Sequence, residues 1–173
     1  MTKKISLTAV AAGLAMAGLL FACARTEPSA TKETSSASAP SPSWKLNDVE
    51  GHPVTSEQFR GKVVILDFWA TWCPPCRQEI PGFVALQKQY GDRGLVVIGV
   101  SLDQKGPPVV KDFMEQFGMN YPVVMGDQAM VDAFGGIEGI PTTFIINRQG
   151  HIMAKHVGYA DQQTFEAAIK PLL

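Results

Sequence analysis

Three cysteines and three histidines are few for a chain of 173 residues, and their placement excludes much of what such residues do. A structural zinc site takes four ligands of this kind, yet there is no second C-x-x-C pair and no histidine cluster to complete one. Neither sign of charge is in excess. Fifteen Lys and Arg against sixteen Asp and Glu leave a formal net charge of -1, without the basic surplus that a nucleic-acid partner calls for. Leucine, isoleucine, valine and aromatic side chains are missing from Ala24 to Ser43 (ARTEPSATKETSSASAPSPS), so this stretch has nothing with which to build a core. It reads as a flexible tether with a reach of roughly 25 Å. Internal repeats are also missing.

What remains divides the chain into three parts: 1–22, 23–43 and 44–173. Lys3 and Lys4 precede an apolar Ala/Gly/Leu-rich run that ends in Leu20-Phe21-Ala22-Cys23. That tetrapeptide resembles a bacterial lipobox, which implies cleavage before Cys23, lipidation of Cys23 and attachment to the bilayer. The alternative is an uncleaved membrane-spanning anchor with Cys23 as a spare thiol. Lipidation of Cys23 would leave only the other two cysteines, in an exported setting where disulfides persist.

From Trp44 onward the composition is that of one globular α/β domain. Alternating apolar positions in Trp44 to Thr55 predict a hairpin with His52 solvated in its turn, followed by a helical turn over Ser56 to Gly61. Lys62 to Trp69 is apolar on both faces except at Asp67 and predicts a central strand. A helix follows over Pro75 to Tyr90, with Pro81 expected to kink it. Gly94 to Leu102 reads as a second buried strand. Pro107-Pro108 opens a helix that stops at Gly118. Tyr121 to Met125 is extended, and Asp127 caps a short helix. Thr142 to Asn147 and His151 to Val157 form an antiparallel hairpin, and Asp161 caps the last helix. His151 and His156 then lie five apart in one strand and face opposite ways, so they share no metal. Met114, Met119, Met125 and Met130 lie singly in apolar patterns and read as core filling.

The chemistry concentrates in Lys62 to Pro81, KVVILDFWATWCPPCRQEIP. Two cysteines, two residues apart, stand where a buried strand ends and a helix begins. Disulfide exchange needs one thiolate that water can reach and a second thiol near enough to resolve the mixed disulfide. Cys73 meets the positive end of the helix dipole and is the candidate nucleophile; Cys76, one turn in and more buried, is the candidate resolving thiol. Pro74 and Pro75 suit the first helical turn but remove two N–H donors from the Cys73 sulfur. A less acidic Cys73 is expected, and with it a reducing bias. Asp67 within the strand is costly unless it has a partner or a task; the alternative is a strand end that reaches solvent.

On DFWATWCPPC at Asp67 to Cys76, EIP at Glu79 to Pro81 and GIPTTFIIN at Gly139 to Asn147, the domain resembles the TlpA/ResA-like membrane-anchored thiol-disulfide oxidoreductases of the thioredoxin superfamily. The resemblance implies a central mixed sheet with helices on both faces, an added N-terminal hairpin and a central insert around Leu102 to Val123. It implies a redox-active Cys73-Cys76 disulfide with no cofactor and no metal. Ile140-Pro141 matches the family's cis-proline loop, and Trp72, Pro74 and Pro75 flank the site on the substrate side; core packing is the alternative for Trp72. Asp67 matches the buried acid of thioredoxins, where many TlpA-like members have Asn, and Glu79 matches an acid near the pair in ResA-like members. The resemblance implies that either moves protons to and from Cys76, although Glu79 reads nearly as well as a solvated helix residue. Partners implied are protein disulfides such as those of apocytochromes c, a membrane-embedded thiol donor and the bilayer, with the domain a monomer at the extracytoplasmic face of a bacterial envelope. Two alternatives stay open: an oxidant or isomerase, and a copper or haem carrier that uses the cysteines as ligands.

Overall fold

The structure, a computed structural model, describes residues 39–173. The leader, Cys23 and the tether as far as residue 38 lie outside the described residues. A small hairpin comes first, β1 (Lys45–Asn47) paired antiparallel with β2 (Pro53–Thr55), and a 3-10 helix at Ser56–Phe59 leads out of it. β3 (Val63–Trp69) is next and is buried at every position. Its β-branched and aromatic residues suit a strand covered on both faces.

A five-stranded mixed sheet forms around it. β4 (Leu95–Ser101) lies parallel to β3, and β5 (Val123–Met125) parallel to β4. On the other side β6 (Thr142–Ile146) runs antiparallel to β3, and β7 (Ile152–Val157) antiparallel to β6. The order is β5-β4-β3-β6-β7, which puts β3 at the centre.

Alternation along β3 then makes two cores. Val63, Ile65 and Trp69 face α1 (Pro74–Tyr90), α2 (Pro107–Phe117) and α4 (Gln162–Ile169), which bury Ile80, Phe83, Leu86, Val110, Phe113, Phe165 and Ile169. Val64, Leu66 and Phe68 face α3 (Gln128–Ala133) and the hairpin, through Met130 and Leu46. Gly99 on β4 has a packing reason: a Cβ there would come within 2.8 Å of the Trp69 indole nitrogen. Helix α1 continues through Pro81. The expected methionines behave as core, with Met130 buried in the second core and Met114, Met119 and Met125 packed against the first.

Two details differ from the sequence reading. Ala39 to Ser43, assigned to the tether by composition, is held on the domain by backbone hydrogen bonds that need no apolar side chain: Ile152 N–H donates to Ala39 O (2.8 Å) and Ser41 N–H to Gly150 O (2.8 Å). His151 is not in a strand with His156. It precedes β7 and bridges to Pro40, while the β6-β7 register shifts between Ile145 and Ile146. Beside this strap a cavity of about 490 Å³ is floored by Val64, Leu66, Ile98 and Ile146. It opens at the N-terminal end of β3, away from both cysteines.

Candidate active site

β3 ends at Trp69 and the chain reverses at once. Cys73 N–H donates to Ala70 O (3.1 Å), closing a four-residue turn, and Cys73 becomes the N-cap of α1. Pro74 and Pro75 occupy the first helical positions, where a missing N–H costs least. The first N–H of the helix to reach the Cys73 sulfur is therefore that of Cys76, which donates to Cys73 Sγ at 3.3 Å. The two sulfurs form a disulfide, with Cα atoms 5.3 Å apart.

A second loop faces the pair. The Ile140-Pro141 peptide bond is cis, and Ile140 O lies 3.6 Å from Cys73 Sγ. Thr142 Oγ1 donates to Gly139 O (2.6 Å) and Gly158 N–H to Pro141 O (2.8 Å), so the loop is fixed from both strands of the hairpin. In this oxidised form Cys73 is only 2% exposed, hardly more than Cys76, where a water-accessible sulfur was expected. The Ile140 carbonyl covers the side that the sequence left open. Trp72 is 65% exposed, which removes the core-packing alternative for it. Val157, paired with Thr142, and Tyr159 are exposed as well, and with Trp72 they give the site an apolar rim.

Below the disulfide lies a layer of acids. Asp67 on β3 pairs in register with Thr143 on β6, whose Oγ1 donates to Asp67 Oδ1 at 3.1 Å. Asp67 is buried, so it does not reach solvent from a strand end. Burial first, and the neighbouring Glu79 charge second, hold its carboxyl well above the usual carboxylate range; the Thr143 bond opposes them. Glu79 is 3% exposed, which excludes a solvated helix position. It follows Cys76 by three residues, so the helix carries it onto the same buried stripe. Ala160 N–H donates to Glu79 Oε1 (2.6 Å), while Oε2 is buried without a hydrogen-bond partner. Burial pushes the Glu79 carboxyl up to about 7.

Other members of this layer escaped sequence reasoning. Tyr121 is buried close enough to Asp67 and Glu79 for their charges, added to its burial, to hold its hydroxyl well above the usual value. Thr143 and the Ala160 amide come from strands and loops far away in sequence; the one available signal was a threonine pair inside an apolar strand. Asp103 binds the turn before Cys73 and was signalled only by polar Ser101 and Asp103 closing an apolar run. Among the described residues no group of three or more His, Cys, Asp or Glu is placed to hold a metal ion.

Comparison with known proteins places this geometry. The AhpC/TSA family matches residues 37–155. The chain is 34% identical over 125 residues to a Bacillus subtilis protein named thiol-disulfide oxidoreductase ResA, covering 72% of this chain and 69% of that one. Its structure is similar to a thiol:disulfide interchange protein of the thioredoxin family from Chlorobium tepidum TLS, with a TM-score of 0.73, 38% identity and coverage of 78% and 96% of the two chains. StoA from Bacillus subtilis is also similar, with a TM-score of 0.62, 26% identity and coverage of 75% and 97%.

Proposed function

The chain belongs to the AhpC/TSA family and is a thiol-disulfide oxidoreductase of the ResA/StoA type, and from that premise we propose that it reduces protein disulfides outside the cytoplasm while anchored through Cys23. The observation that carries the reading is the Cys73-Cys76 disulfide at the start of α1, faced by the Ile140-Pro141 loop inside an apolar rim. A misfolded or unfolded client presents apolar side chains and extended backbone, and Trp72, Val157 and Tyr159 suit the first.

The reaction starts from the dithiol. The Cys73 thiolate, helped by the Cys76 N–H and the helix dipole, attacks one sulfur of the client disulfide and expels the other as a thiolate. Cys76 then gives up its proton and attacks Cys73 Sγ, releasing the second client sulfur. The client gains two electrons and two protons, and the pair ends as the disulfide seen here. Glu79, with its carboxyl near 7, is suited to take the Cys76 proton at neutral pH. The Asp67 carboxyl is likewise raised well above its ordinary range, by burial first and the Glu79 charge second. It can return a proton to Cys76 when a donor thiol reopens the disulfide.

The reducing direction is supported by Pro74 and Pro75, which leave one near N–H donor for Cys73. The donor is a membrane-embedded thiol, and the clients are exported proteins such as apocytochromes c. The domain works as a monomer. Among the described residues no helix is long and apolar enough to cross a membrane. Full-length protein, reduced and mixed with disulfide-bonded insulin, should reduce it stoichiometrically, and Cys73→Ser should not; equal inactivity of the wild type would reject the reading. Mass spectrometry of the membrane-extracted chain should find acylated Cys23 as the first residue, and an intact Met1 terminus would reject the lipid anchor.

A further inference from the structure

The turn that presents Cys73 is gripped by a side chain that the exchange chemistry does not use. Thr71 and Trp72 are the central residues of the turn closed between Ala70 and Cys73. Both polar groups of Thr71 bind one carboxyl: its N–H donates to Asp103 Oδ2 at 2.9 Å and its Oγ1 to Asp103 Oδ1 at 2.6 Å. Ser101 Oγ donates to the same Oδ2 at 2.9 Å and accepts from Asp103 N–H at 3.2 Å. Asp103 is 7% exposed and Ser101 fully buried. Ser101 is itself anchored, paired with Trp69 in the β3-β4 register, and Leu102 N–H donates to Trp69 O at 2.8 Å.

A carboxyl with three hydrogen bonds, two from the turn and one from β4, is an expensive way to hold an ordinary surface turn, since each buried polar atom must be matched. The turn is not ordinary, because its last residue is the nucleophile. Backbone freedom at Thr71 would pass directly to the position of Cys73 Sγ relative to Cys76.

We propose that the Asp103 carboxyl, with Ser101 behind it, is a positioning clamp on Thr71 that raises the effective concentration of Cys73 at Cys76. The inference rests on the exchange reaction proposed above and adds residues to it. The clamp touches no substrate. It acts by restricting the dithiol, in which the sulfurs are no longer joined and the turn alone keeps them together. Ring closure then costs less entropy, so the clamp favours the disulfide within the pair. Loosening it shifts the pair toward the dithiol, which means a less negative potential.

The test uses full-length protein and three variants. Thr71→Val keeps the side-chain volume and the backbone N–H bond but deletes the hydroxyl; Thr71→Ser restores the hydroxyl. Asp103→Asn keeps the shape and replaces one carboxyl oxygen by an amide donor, which turns the Thr71 hydroxyl from donor to acceptor and leaves only neutral hydrogen bonds on the turn. The dithiol-disulfide equilibrium constant is measured against glutathione, together with the melting temperature of each redox form. Thr71→Val is expected to shift the constant toward the dithiol about threefold and Asp103→Asn about tenfold, the latter equal to roughly 30 mV. Thr71→Ser is expected to match the wild type. Should Asp103→Asn fail to fold, Thr71→Val decides alone. An unchanged constant in Thr71→Val, with both redox forms losing stability equally, would assign the carboxyl to the fold and overturn the clamp. A wild type that forms the disulfide yet exchanges with no protein substrate would instead remove the proposed function, and the constants would still decide on the clamp.

Discussion

Replacing Glu79 by Gln should make the oxidised protein relatively more stable as the pH rises, because the native fold keeps that carboxyl protonated beyond its ordinary range. Its pKa moves from the ordinary 4.5 to about 7, with burial as the cause. Between those values the folded state holds a proton that the unfolded chain has released. The contribution of Glu79 to wild-type stability therefore falls from about pH 4.5 to about pH 7, and the loss is complete above the folded value. At about 1.4 kcal/mol per pH unit, the full loss is about 3 kcal/mol. Gln keeps an oxygen for the Ala160 N–H and cannot ionise. It also places an amide where Oε2 has no partner, a cost of about 1–3 kcal/mol that does not change with pH. The diagnostic quantity is thus the change with pH of the difference between the two proteins. Urea unfolding of both oxidised proteins at pH 4 and pH 8 should show the variant gaining about 3 kcal/mol relative to the wild type over that interval. Removing the Glu79 charge should also lower the Asp67 carboxyl toward the usual range, since that charge is its second cause. A stability difference of equal size at both pH values would refute the argument.

Further predictions concern the remaining parts of the site. Asp67→Asn keeps an oxygen for the Thr143 hydroxyl but has no proton to return to Cys76, so reopening of the disulfide by dithiothreitol should slow about 100-fold; an unchanged rate across pH removes Asp67 from proton transfer. Cys76→Ser should accumulate mixed disulfides with client proteins on non-reducing gels, and Cys73→Ser should accumulate none; the reverse pattern would exchange the two roles. Trp72→Ala should change stability by no more than about 0.5 kcal/mol, because the side chain is mostly exposed, yet raise KM for protein disulfides severalfold. A large loss of stability there would return Trp72 to the core.

Much of this was legible in the sequence, and the reason is that it was local. The run from Lys62 to Trp69 could only be a strand covered on both faces, and a C-x-x-C after it, with prolines at helix positions one and two, fixed where the sulfurs would sit. What stayed hidden depends on contacts across long separations. Asp67 stood out as an acid in an apolar strand, but its partner Thr143 is 76 residues away. Glu79 was ambiguous because helical spacing after two prolines put it next to the apolar stripe, and only the docking of the loop at Ala160, 81 residues on, buries it. Asp103 lies one residue beyond the strand expected at Gly94 to Leu102 and drew no reading, because its partner Thr71 is 32 residues earlier. The strap at Ala39 to Ser43 is held by backbone hydrogen bonds, which composition does not report.

The direction of electron flow is the central claim, and the reduction potential of the Cys73-Cys76 pair tests it most directly. Full-length protein equilibrated in dithiothreitol or glutathione buffers, with the thiols trapped by alkylation, should give a value near that of thioredoxin, about -270 mV. A value near that of the strong oxidant DsbA, about -120 mV, would contradict the account and make the protein a donor of disulfides.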